Sequence, residues 1–235
     1  MAKTARTTST RFDGFADRDA RFFKALAKHQ DRDWFAAHRD EYDAGWLAPM
    51  KALLAAVREK LAPRYAREEI AAPKVFRIYR DVRFSKDKSP YKTHIGGYLG
   101  LEGSGAGPSG AAALYVHVGA DEVFAGAGQY MMDGDQLKRF RAAVDDPKRG
   151  AELAKLLATL GRAGFAVESY EETRRVPRGF DSEHPRADLL RRKGLFVTFP
   201  DLDRKLLTSP KLVDWLATQA RKPIPLVEWL ASTTV

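Results

Sequence analysis

Apolar and polar residues alternate at a period of two through the middle of the chain, which predicts strands there. From Pro73 onwards, Phe76, Ile78, Val82 and Phe84 share one face, while Arg77, Tyr79, Asp81 and Arg83 share the other. A strand over 74–85 is therefore expected. Arg80 interrupts its apolar face, so it is read as a buried Arg paired with a carboxylate or with backbone carbonyls. The other reading is an Arg held by the sheet and aimed into a pocket. The segment SKDKSPYK follows, and Pro90 restricts Ser89 to extended or turn geometry, which predicts a loop. A second alternating run, 93–99, is expected to pair antiparallel with the first near the centre of the sheet. Ala112–Val118 would lie in the same sheet, and 123–128 would close a hairpin behind it.

Helical spacing takes over towards both ends. A helix over 19–28 places Phe22, Phe23 and Leu26 inward, and Asp31 is an N-cap for a helix carrying Trp34, Phe35, His38, Tyr42 and Trp46. Pro49 opens another, whose Met50, Leu53, Leu54, Val57 and Leu61 form one apolar stripe. Beyond the strands, Asp133 or Asp135 caps a helix through Val144, and Pro147 starts one through Leu160. Pro185 opens a helix to Lys193, and Ser209-Pro210 caps one to Arg221. Short strands are expected over 165–167 and 195–199. The resulting class is α+β: a central, mainly antiparallel sheet with helices from both ends of the chain packed against it. A single domain over 12–235 is expected behind a disordered basic tail of residues 1–11.

Composition narrows the function classes. The 235 residues, 44% of them hydrophobic, suffice for one large core. With no cysteine, disulfides, thiolate catalysis and zinc–thiolate sites are excluded, and a reducing cytoplasm is the expected location. No apolar run reaches the length of a membrane span, so no membrane partner is expected. The net charge of +9 is focused. Lys74, Arg77, Arg80, Arg83, Lys86, Lys88 and Lys92 stand against Asp81 and Asp87 alone, a net of +5 within 74–92. Nucleic-acid binding by counterion release usually spreads its cations along a face. Focused charge favours a small anion instead.

Other motifs fail on context. GAGPSG (105–110) matches a dinucleotide fingerprint in letters but precedes a strand, where that motif must open a helix. The S-x-x-K spacings at Ser85 and Ser89 need a helical turn that Pro90 opposes. The histidines lack metal-ligand spacing, although His94 and His117 can meet across neighbouring strands. No metal and no cofactor is expected. The basic segment mixes Arg forks and Lys point charges with Ser85, Tyr79 and Tyr91, donors suited to phosphate or carboxylate oxygens.

The expected site therefore has Arg77, Arg83, Lys86, Lys88 and Lys92 holding an anion at the Pro90 turn. Trp34, His38, Tyr79 and Tyr91 would wall its pocket, and His94 or Asp81 would carry a proton if a reaction occurs. Two classes stay open: an enzyme or binding protein for a small phosphorylated or carboxylated anion, and a non-catalytic module for nucleic acid or an acidic protein. A deep pocket beside the loop speaks for the first, a flat or convex basic surface for the second.

FRIYRDVRFSKDKSPYKTHIG resembles the signature of a bacterial and fungal family, domain of unknown function 2461. The likeness extends to DRDWFAAHRDEY, FAGAGQYMMD and RVPRGFDSEHPRADLLRRKGLFV, and so covers nearly the whole chain after about Phe12. It implies membership of that family but no particular activity.

Overall fold

The alternating run expected over 112–118 forms a central strand of the sheet. In the computed structural model, which describes residues 11–65, 68–83, 86–105 and 107–234, the strands are β1 (Lys74–Val75), β2 (His94–Gly100), β3 (Ala111–Gly119), β4 (Val123–Gln129), β5 (Ala166–Glu168) and β6 (Leu195–Thr198). They form one sheet in the order β1-β2-β3-β4-β6-β5, with every neighbouring pair antiparallel. The β2–β3 register opposes Ile95 to Val118, Gly97 to Val116 and Leu99 to Leu114.

Those positions, with Ala125, Ala127 and Val197, are buried and define the core face. Helix α4 (Ala48–Leu61) presses its predicted stripe onto that face: a Cβ added to Gly97 would lie 2.7 Å from Leu54 and 3.4 Å from Met50. Helices α8 (Lys211–Arg221) and α9 (Ile224–Thr234) complete the layer against β3 and β4. The opposite face carries Tyr98, Tyr115, Phe124 and Phe196, all half-buried, together with His94 and the more deeply set His117. Helices α5 (Gly134–Asp145) and α6 (Pro147–Arg162) pack on α9. Among the described residues no helix is long and apolar enough to cross a membrane.

Local capping follows the sequence. Asp31 accepts from the Trp34 N–H at 2.7 Å and starts α2 (Arg32–Ala37). Asp133 and Gln136 form a reciprocal capping box at α5. Other expectations need correction. The helix carrying Trp34 to Trp46 is interrupted at His38, resumes as α3 (Arg39–Tyr42), and passes through a π-helical turn (Asp43–Leu47) into α4. The helix after Pro185 is only α7 (Ala187–Arg191), and α1 is Arg21–Lys28. Helix α9 was not anticipated, because most of its residues are buried and its solvent-facing stripe is narrow, with Pro225, Glu228 and Ser232.

The strand expected over 74–85 is the largest departure. It contributes two residues, and it lies at the sheet edge rather than near the centre. Pairing resumes only as an isolated bridge between Tyr79 and Tyr91, flanked by Arg80 N–H to Pro90 O at 2.9 Å and Lys92 N–H to Ile78 O at 2.8 Å. Carboxylates compete for the backbone beyond that point. Asp81 accepts from the Arg83 N–H at 3.2 Å and Asp87 from the Ser89 N–H at 2.9 Å, local bonds that end the ladder. Phe84 and Ser85, and all of the expected tail except Arg11, lie outside the described residues.

Candidate anion-binding cleft

The π-helical turn swings the α3–α4 junction over the segment that follows Pro73. Between them lies a cleft of about 530 Å³. Phe35, Arg39, Tyr42, Asp43, Leu47 and Lys51 line its helical side; Pro73, Val75, Phe76, Arg77, Ile78 and Tyr79 line the other. Three cations thus share an aromatic and aliphatic cleft with a single carboxylate. Arg39 approaches Asp43 at 3.4 Å (Nε to Oδ2), and its guanidinium pKa is raised first by Asp43 and then by Tyr79, whose phenol it also meets. Lys51 and Arg77 are exposed and have no ion-pair partner among the described residues. Burial, reinforced by Asp43, pushes the Tyr42 phenol up to about 12, so it remains a neutral hydrogen-bond donor. Tyr79 stands edge-on to Phe35 at 6.0 Å and is 44% exposed at the mouth.

The residues expected at the Pro90 turn are dispersed or engaged elsewhere. Arg83 grips Asp81 through Nη2 at 2.7 Å and Nε at 3.0 Å, and this pairing holds the Asp81 carboxyl down at about 2. Asp81 is therefore ionised and clamped near neutral pH. Lys88 donates to Val82 O at 2.8 Å, while Lys86 points into solvent. Lys92 lies over the Phe76 ring, 5.3 Å from its centroid; burial, then Arg77 and Arg80, lowers its pKa. Arg80 is paired as expected, to Asp87 and to Tyr91 O at 3.0 Å, but its side chain keeps 31% exposure and is not largely buried.

Of the four wall residues expected from sequence, Tyr79 lines the cleft. Tyr91 is buried behind it, stacked on Phe35 at 4.5 Å. Trp34 and His38 stack on each other at 4.0 Å outside the lining, with His38 Nδ1 2.8 Å from Trp34 O. His94 is held on the sheet, where burial and the cations Lys92 and Arg80 lower its pKa to about 4. It does not line the cleft. Sequence reasoning missed Arg39, Asp43 and Lys51. The i, i+4 spacing of Arg39 and Asp43 was the available signal for a shared helical face. Among the described residues no group of three His, Cys, Asp or Glu is placed to hold a metal ion.

An antiparallel sheet covered by helices on one face, with a cation-lined cleft at its edge, defines an α+β protein. Residues 19–229 match the family model for conserved hypothetical proteins (DUF2461), and the chain belongs to that family. No curated protein and no solved structure matches the chain.

Proposed function

We propose that this protein binds a small organic anion, phosphorylated or carboxylated, in the cleft between the α3–α4 junction and residues 73–79. One observation carries the reading: Arg39, Lys51 and Arg77 border an apolar-walled cleft in which Asp43 is the sole lining carboxylate. Cations brought together along one cleft repel unless an anion screens them, and a bound phosphate or carboxylate does so at close range. The flanking Phe35, Phe76 and Leu47 suit a ligand with an apolar body behind its charged group. A chain without cysteine suits the reducing cytoplasm, where such metabolites are abundant.

Calorimetric titration with inorganic phosphate and with aromatic carboxylates tests the reading. Lys51→Ala and Arg77→Ala should each weaken binding on the order of tenfold, the loss of one charge-assisted contact. Lys88→Ala and Lys86→Ala should leave it unchanged. Negligible binding to the wild type, or equal losses at Lys86 and Lys88, would overturn the assignment to the cleft.

A further inference from the structure

The sheet face turned away from α4, α8 and α9 has no role in the cleft just described, yet it concentrates aromatic side chains. Alternation places Tyr98 on β2, Tyr115 on β3, Phe124 on β4 and Phe196 on β6 on this one face. The rings form two neighbouring groups. In the first, Phe76 stacks on Tyr98 at 5.4 Å, and Tyr115 meets Phe124 at 5.8 Å. In the second, Tyr130 lies 5.6 Å from Phe196 and 4.9 Å from Tyr170. Tyr130 and Tyr170 are 48% and 49% exposed, a large apolar area to leave in water without a partner.

Charge lies along one border of this platform. Lys92 sits over Phe76, next to Arg77 and Arg80, in the segment whose net charge is +5. We propose that this open face binds single-stranded nucleic acid, with bases stacked on its aromatic rings and phosphates along the cationic β1–β2 border. Aromatic rings on a sheet give each base a π-face to stack on, and adjacent cations follow the backbone. The face also carries two carboxylates: Glu168, which accepts from Thr198 Oγ1, and the exposed Glu122, 3.6 Å from His117 Nε2. A second copy of the chain is the less fitting occupant. Two-fold pairing would offer the cationic border the scattered carboxylates Glu122 and Glu168, whereas a nucleic-acid strand offers a negative charge at every phosphate. The proposal concerns a different surface and ligand class from the anion cleft; the two share only Phe76 and Arg77.

Fluorescence anisotropy with a labelled 12-nucleotide oligothymidine, and with a duplex of equal length, tests the proposal on the full chain. The single strand should bind, with affinity falling as salt rises, and the duplex should bind at least tenfold more weakly. Tyr130→Ala, at an exposed position, should weaken binding severalfold. Tyr98→Leu and Phe124→Leu, which keep apolar volume, should each weaken it on the order of tenfold, as expected for one lost stacking partner. Lys51→Ala should leave oligonucleotide binding intact while impairing phosphate binding, so the two proposals fail separately. Absence of single-strand binding, equal affinity for duplex, or insensitivity to all three aromatic substitutions would overturn the platform. So would a wild-type dimer in sedimentation that Tyr130→Ala dissociates, because the face would then be covered by a second copy.

Discussion

His94 and His117 face each other diagonally across the β2–β3 ladder, with ring centroids 4.1 Å apart. The Tyr115 phenol, itself pushed up to about 12 by burial, is hydrogen-bonded to His117 Nδ1 at 3.0 Å, and the other ring nitrogen lies 3.6 Å from Glu122. Burial lowers His117 to about 3, with His94 adding to the effect, and His94 to about 4. Near pH 7 both rings are neutral, so the Glu122 contact is not an ion pair.

Acid sensitivity follows. Both folded values lie below the ordinary 6.5, so the unfolded chain takes up protons first as pH falls. The stabilising contribution is complete above about 6.5 and drains away towards pH 4 and below, by on the order of 3 kcal/mol at pH 4 for His117. Urea midpoints measured from pH 4 to 8 should fall with acidification, and His117→Gln should flatten the curve. A wild-type curve that is already flat would contradict the neutral pair.

Arg80 ties the two halves of the basic segment together through Asp87 and Tyr91 O. Arg80→Met leaves a carbonyl of a buried residue without its donor and should cost about 1–2 kcal/mol in urea denaturation. Arg83→Met should shift the midpoint less, because the Arg83–Asp81 pair is exposed on both sides.

Gly194 is a packing constraint. A Cβ added there would lie 1.9 Å from Tyr130 O and 2.7 Å from Tyr130 C. Backbone cannot retreat as a flexible side chain can, so Gly194→Ala should cost about 3 kcal/mol or more and lower the thermal midpoint. Gly161→Ala, where a Cβ meets nothing within 4 Å, is the matched control.

Asp43 opposes the cations of the cleft. Asp43→Asn should tighten phosphate binding severalfold, by removing a like charge near the ligand and releasing Arg39 from its partner. Weaker binding in calorimetry would instead make Asp43 a positioning residue for Arg39.

Much of the fold was legible because burial writes itself into periodicity. Ile95, Leu99, Val116 and Val118 alternate with Tyr98, Tyr115 and His117, and the α4 stripe is wholly buried. The segment 76–83 carries the same alternation and yet leaves the sheet. Apolar spacing reports which side a residue faces, whereas the Asp81 and Asp87 side chains decide where the backbone bonds go. Helix α9 escaped for the opposite reason, since a helix that is mostly buried shows only a weak period. The cleft was half legible: Arg77 and Tyr79 were on the expected face, but their partners Arg39 and Lys51 come from a distant stretch, and nothing local encodes that approach.

The short outer strands have a consequence for the protein in a crowded solution. β1 offers two residues and β5 three, so neither border of the sheet presents a long row of unpaired amides to another chain. Strand addition and cross-β growth need such a row. Beyond β1 the backbone turns irregular within a positively charged stretch, which repels an identical molecule approaching from that side. The aromatic face is thus bordered by edges that give strand addition little to build on, so that any barrier to fibril growth lies at the edges of the sheet rather than on its face.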